Sequence, residues 1–138
     1  MSATLEGKLE VLDRDDCLRR LEARGVGRIG VSLQGRPLIY PVSYTVHEEH
    51  IYVLTRHGGD LHAATPSTVA FEIDGIDALA HEGWSVLVSG RCAIVSDHAE
   101  LAHLAHLRLT PWAGEDRDLL LRISMDVVSG RHIHHRAT

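Results

Sequence analysis

The stretch YVLTRHGGDLHAA, residues 52–64, sets a hydroxyl (Thr55), a guanidinium (Arg56) and the pair Gly58-Gly59 directly ahead of a carboxylate, Asp60. If a strand ends here and a helix begins, the hydroxyl, the planar donor fork and the backbone amides converge on one point. That is the chemistry of a phosphate seat. Asp60 then has two readings. Within reach of a phosphate it repels the dianion by about 1 kcal/mol or more at a partly exposed site. Alternatively it is the N-cap of the helix that follows and satisfies the same amides from within. Gly-rich turns between strand and helix are common without any ligand, so spacing leaves both open.

Two further stretches carry aromatic and charged residues. EGWSVLVSGR, residues 82–91, begins a strand at Trp84, with Ser85 and Ser89 alternating along it. The indole either covers a core edge or flanks an aromatic cofactor that the strand amides contact. PWAGEDRDLLLRIS, residues 111–124, puts Trp112 in a polar loop and Arg122 among leucines. An unpaired buried guanidinium is costly, so Arg122 faces water from an edge strand or meets an anion.

Eleven histidines invite a search for a metal site. His103 and His106 fall at i, i+3 on a predicted helix with Glu100 one turn earlier, and His132, His134 and His135 crowd the C-terminal end, but no third converging ligand is evident. They are read as solvated side chains, and no metal is expected. Neither Cys17 nor Cys92 has a neighbour that would activate it as a nucleophile, and no serine sits in a Gly-x-Ser-x-Gly elbow, so hydrolase chemistry lacks its parts. No protein acid or base stands out.

The elements that must position these residues fit one domain spanning residues 1–138, with 44% apolar and 24% charged residues, ordinary globular values. The net charge of −5 argues against nucleic acid as a partner, which needs a basic surface. No run of eighteen apolar residues suggests a membrane span, and no signal-peptide pattern opens the chain. Two widely spaced cysteines do not form a disulfide framework, and the simplest expectation is a reduced, cytoplasmic protein.

Along the chain, LDRDDCLRRLEARGVG reads as an amphipathic helix capped by Asp13 and stopped at Gly25. GRIGVSLQGRPLIYPVSYTV alternates as a β-hairpin turning at LQGRP. HIYVLT is a third strand, DLHAAT a short helix, STVAFEID a fourth strand, and GWSVLVSGRCAIVS a fifth, bent at Gly90. DHAELAHLAHLRL reads as a helix capped by Asp97, and LLLRISMDVVSGRHIHH as one strand with a possible second beyond Gly130. Six or seven mostly antiparallel strands in so short a chain leave costly edges unless the sheet closes, which predicts a small β-barrel with flanking helices. The apolar strands SVLV and LLLRI exceed what one small barrel covers from inside, which predicts a two-fold interface and hence a homodimer.

Taken in order, GRIGVSLQGRPLIYPVSYTVHEEHIYVLTRHGGDLHAA, VAFEIDGID, GWSVLVSGR and LLLRISMDVVSGR resemble the pyridoxamine 5′-phosphate oxidase-like flavin-binding family, in its small actinobacterial form. The resemblance runs from about Asp13 to Arg131. It implies a split β-barrel that forms a homodimer with FMN at the interface. Pro41, Val42, Ser43 and Tyr44 match the strand that contacts the flavin ring, and Thr55 and Arg56 match the phosphate turn. Trp84, Ser85 and Val86 match a strand approaching the same flavin, while Trp112 and Arg122 match positions near the ring, often from the partner subunit. Members that hold FMN well usually have a Gly-x-Lys in the turn, and Asp60 takes the lysine's place here. The implied activity is that of an FMN-dependent oxidoreductase acting on a small molecule. The alternative is a non-catalytic binder of haem, a deazaflavin or another planar ligand. The chain is shorter than the true oxidases, and their full set of substrate-phosphate residues is not matched.

Overall fold

Asp13 opens the first helix as its position predicts. Its Oδ1 accepts the Asp16 amide at 2.8 Å, and helix α1, Arg14–Glu22, follows with acidic residues in its first turn and arginines in its last, each complementing the helix dipole. Cys17 and Leu21 turn inwards from α1 and are fully buried. The computed structural model describes residues 5–107 and 118–137. The remaining elements are β1 (Leu5–Leu12), β2 (Val26–Leu33), β3 (Arg36–His47), β4 (His50–Thr55), α2 (Asp60–Ala63), β5 (Ser67–Asp77), β6 (Glu82–Ile94), α3 (His98–Leu104), β7 (Leu119–Ser124) and β8 (Val127–Ala137).

Six of the strands close on themselves. Antiparallel ladders join β2 to β3, β3 to β4, β4 to β7, β7 to β6, β6 to β5 and β5 back to β2. The two remaining strands lie outside the barrel, β8 on β6 and β1 on β8. Closure removes the open edges that a flat sheet of this size would expose. The barrel interior is the core, with Ile29, Phe71, Ile73, Val86, Val88, Leu121 and Ile123 at most 1% exposed.

Strand β6 serves three partners. It pairs with β5 from Glu82 to Cys92, with β8 from Gly83 to Ser89, and with β7 from Cys92 onwards. Gly90 lies where the partners change, and a Cβ there would overlap the Ser124 carbonyl. The position expected to bend is thus the one where β6 exchanges β8 for β7 and where the β7 backbone approaches it most closely.

Three expectations need correction. The barrel closes with six strands, within the expected number, but one outer strand has no counterpart among the expected elements: the segment before Asp13 forms β1, giving eight strands among the described residues. Gly130 does not end a strand. It lies inside β8, where a Cβ would stand 2.6 Å from Cys17 Sγ, and the break between β7 and β8 falls at Met125–Asp126. The LLLRI strand is also better covered than its composition suggests. Leu119, Leu121 and Ile123 face the core, and Leu120 packs with Tyr52, Val95 and Leu104 beneath α3. Among the described residues, no helix is long and apolar enough to cross a membrane.

Tyr44 ties α1 to the barrel. Its hydroxyl donates to the Leu21 carbonyl at 2.6 Å, and its ring meets Phe71 edge to face at 4.8 Å. Burial pushes its ionisation well above the ordinary value of 10.0, with Arg24 opposing. The folded state thus holds the phenolic proton more tightly than the unfolded chain, so this contribution is complete below pH 10 and is lost as pH rises through the folded value. Tyr44→Phe is expected to cost about 1 kcal/mol at neutral pH. It should also flatten the loss of stability above about pH 10. Denaturant titrations of both proteins at neutral and alkaline pH check this. An identical alkaline slope would show that Tyr44 carries none of the effect.

Candidate functional site

Strand β3 and the turn after β4 enclose a cleft of about 390 Å³ lined by Tyr40, Pro41, Val42, Ser43, Leu54, Thr55, Arg56, Gly58, Gly59, Asp60 and Leu61. This volume is in the range of small-molecule sites. The two buried polar residues among the described ones, Ser43 (8% exposed) and Thr55 (6%), both line it. Elsewhere the interior is apolar, so burying two hydroxyls side by side with an open cleft is a local exception to the chain's own pattern.

The cation in the cleft is Arg56. Among the described residues no carboxylate lies within salt-bridge distance of its guanidinium. Its Nε lies 3.9 Å from where a Gly59 Cβ would be, so the absence of a side chain at Gly59 leaves that flank of Arg56 open. Gly58 has φ of +81°, a conformation that favours glycine.

The backbone amides play a smaller part than the turn's sequence suggests. The His57 amide donates to Asp118 Oδ1 at 3.1 Å, and the Gly58 amide donates to His62 Nδ1 at 2.8 Å. An anion here is met by Arg56 and the hydroxyls rather than by those two amides. Asp60 is not the N-cap of α2. Gly59 holds that position without a side-chain cap, and Asp60 is the first helical residue. Its carboxylate accepts the Tyr40 hydroxyl instead. The same hydrogen bond is the main reason the Tyr40 hydroxyl titrates above its ordinary value. Tyr40 is absent from the sequence-derived set because its partner lies across a tertiary contact. The only signal in the chain was its alternation with Val42 on the YPVSY strand.

The remaining sequence-derived residues fall elsewhere. Tyr44 points into the core. Val86 is fully buried on β6. Trp84 and Ser85 line a second cavity of about 310 Å³ between β5, β6 and β8, with Glu72, Asp74 and Arg131. There the guanidinium carbons of Arg20 and Arg24 lie 4.8 and 5.1 Å from the Trp84 ring centre, a cation–π arrangement. Arg122 is in neither cavity, since its NH1 donates to both Glu100 oxygens at 2.7 and 2.5 Å. Its anion is thus a residue of α3. Trp112 lies outside the described residues. Within one chain, then, Pro41, Val42, Ser43, Thr55, Arg56 and Asp60 are brought together, and the other described residues of the set are not.

Residues 13–132 match the family model described as pyridoxamine 5′-phosphate oxidase. The chain belongs to the pyridoxamine 5′-phosphate oxidase family. An uncharacterized protein of Mycobacterium tuberculosis is 32% identical over 128 residues, covering 88% of this chain and 84% of that protein. A candidate pyridoxamine 5′-phosphate oxidase of Corynebacterium glutamicum superposes with a TM-score of 0.80 at 28% identity, over 91% of this chain and 93% of the other. An FAD-binding protein of Mycobacterium smegmatis gives 0.77 at 28% identity, over 90% and 98%. The closed six-stranded barrel with two outer strands is the family's split barrel.

A flavin phosphate fits the residues of this cleft in part. Arg56, Ser43 and Thr55 supply a cation and two hydroxyls, which suit a phosphate. The Asp60 carboxylate opposes it, moderated by the hydrogen bond it accepts from the Tyr40 hydroxyl.

Proposed function

We propose that this protein binds FMN in the β3–β4 cleft and acts as a flavin-dependent oxidoreductase on a small molecule. The observation that carries this reading is the coincidence of the two buried hydroxyls, Ser43 and Thr55, with Arg56 around one cleft. A bound flavin supplies the electron-transfer chemistry, and the chain's part is to bind, orient and shield it. Thr55 and Arg56 hold the phosphate end, while the exposed face of Pro41 and the Ser43 hydroxyl border the ring. Val26 and Ile39, 41% and 71% exposed, flank the same outer face, since Val26 pairs with Ser43 and Ile39 is two residues from Pro41. A second copy of the chain covering these side chains would complete the site as a homodimer.

Titration with FMN tests the reading. Flavin fluorescence is expected to be quenched with saturation at one FMN per chain, and light scattering to give twice the chain mass. Protein that leaves FMN fluorescence unchanged at high micromolar concentration would overturn flavin binding. A monomer that still binds FMN would overturn only the shared interface.

The Asp60 carboxylate inside the cleft favours a second reading, in which the protein holds haem, a deazaflavin or another planar ligand without catalysing a reaction. At a hundredfold excess over its dissociation constant the true ligand stabilises by about 2.7 kcal/mol. A melt raised by haem, with a Soret band, and unmoved by FMN would replace the first reading with this one.

A further inference from the structure

Sequence spacing placed His103 and His106 on one helical face without a third ligand. The fold supplies it from the β3–β4 turn. His47, the last residue of β3, lies 5.6 Å from His103 and 5.6 Å from His106, centroid to centroid, and those two rings are 6.0 Å apart. One ligand atom each from His47, Glu48 and His103 lies within 4.8 Å of the others. We propose that His47, His103, His106 and Glu48 form a binding site for a divalent transition-metal ion of the zinc class, clamping α3 to the β3–β4 turn.

Three observations give these residues the character of ligands. His47 Nε2 is buried and has no hydrogen-bond partner, with only the Glu48 carboxylate at 3.7 Å beside it. A buried ring nitrogen without a partner is uncommon, and such a group calls for an unseen ligand or ion. His106 Nδ1 lies 2.7 Å from the His103 carbonyl. A carbonyl only accepts, so Nδ1 carries the proton and the Nε2 lone pair is left to ligate, an arrangement typical of metal-bound histidine. The backbone of Glu48 is set by the turn: it and Glu49 have φ of 49° and 60°, and the His50 ring accompanies them, Nδ1 to the Glu48 carbonyl at 3.0 Å. Backbone held in the left-handed region by non-glycine residues is a conformation that persists where the surroundings fix it.

Imidazole nitrogens and a carboxylate oxygen suit zinc, whose tetrahedral ligands stand roughly 3.3 Å apart at the usual bond lengths. Reaching that spacing from 4.8 Å calls for side-chain rotations of the exposed His103 and Glu48, and His106, also exposed, joins from 5.6–6.0 Å ring to ring. Glu100, the carboxylate nearest to the pair in sequence, is engaged with Arg122 and leaves the ligand role to Glu48. The flavin cleft contributes none of these residues, so the site stands apart from the proposed activity.

The test uses the full chain without a polyhistidine tag, titrated with Zn2+ by calorimetry, with melting curves at each concentration. The wild type is expected to bind one Zn2+ with a micromolar or tighter dissociation constant and to melt higher when loaded. His103→Ala and His106→Ala are each expected to weaken binding at least tenfold while melting like the wild type in chelator. Co2+ substitution should give the visible bands of a four-coordinate ion, and these should vanish in both variants. The double variant His132→Ala/His134→Ala removes the other histidine group, which faces Glu10, and should bind Zn2+ as the wild type does. The proposal is overturned if the wild type binds no tighter than millimolar, if His103→Ala binds normally, or if the His132/His134 variant is the one that loses the ion.

Discussion

Gly90→Ala is expected to lower stability by at least about 3 kcal/mol and the melting temperature by about 10 °C. The added methyl would overlap the Ser124 carbonyl oxygen and approach the carbonyl carbon to 2.6 Å. Flexible side chains can rotate out of a clash, but here the obstacle is the backbone of β7. The contact cannot be relieved by shifting β7 alone, because Ser124 Oγ also accepts the Arg91 amide at 2.9 Å. Next to it begins the short β6–β7 ladder from Cys92 that completes the barrel. Moving β7 away opens that seam. Gly30→Ala, whose Cβ would stand at an ordinary 3.6 Å from Ala70 Cβ, is the control and should melt within a few degrees of the wild type. A Gly90→Ala protein that melts like this control would show that β6 does not depend on the close approach.

The second large effect concerns Arg56. Charge-assisted hydrogen bonds are worth about 1.5–3 kcal/mol, so Arg56→Ala should raise the FMN dissociation constant by about 10- to 100-fold. The loss should be confined to the phosphate end. The wild type is expected to prefer FMN to riboflavin, and Arg56→Ala to bind the two alike. Asp60→Lys works in the opposite direction. Because Gly59 rather than Asp60 holds the N-cap position, the exchange removes no cap, and it places a second cation beside Arg56. FMN affinity should rise by about tenfold, roughly 1.4 kcal/mol. Calorimetry with both flavins on the three proteins decides the matter. Equal affinities for FMN and riboflavin in the wild type, or an Asp60→Lys protein no tighter than its parent, would mean that the turn holds no phosphate.

Periodicity made the barrel strands legible, because each buries one face. Ile29 and Val31 on β2, Val69, Phe71 and Ile73 on β5, and Leu119, Leu121 and Ile123 on β7 alternate inwards as the chain predicts. Strand β1 differs, because its short alternation buries no face. Leu9 is 57% and Val11 81% exposed, alternating with exposed Lys8 and Glu10, so the strand exists through its ladder with β8 rather than through a buried face. Gly130 misled for a related reason: a glycine within a strand reads as a break, whereas here it makes room for Cys17 and Leu12. At the site, the turn from Thr55 to Asp60 was visible because strand, glycines and helix are contiguous. The competing claims on its amides by Asp118 and His62, and the Tyr40–Asp60 hydrogen bond, depend on the closed fold. Likewise the pairing of Arg122 with Glu100 joins two elements that the sequence separates.

The pairing of β1 with β8 has a consequence for the order in which the molecule is made. Leu5 lies opposite Ala137 and Leu12 opposite Gly130, so the earliest strand of this fold to be synthesised has the latest as its partner. The barrel itself cannot be sealed until β7 emerges, since β7 alone bridges β4 to β6. Most of the long-range pairing is therefore deferred until β7 and β8 have been made. Until then β1 and the unsealed edges of β4 and β6 remain without their final neighbours. Chains of this topology fold slowly and expose strand edges while they wait, and a nascent chain stalled before Leu119 would be the species most in need of a chaperone.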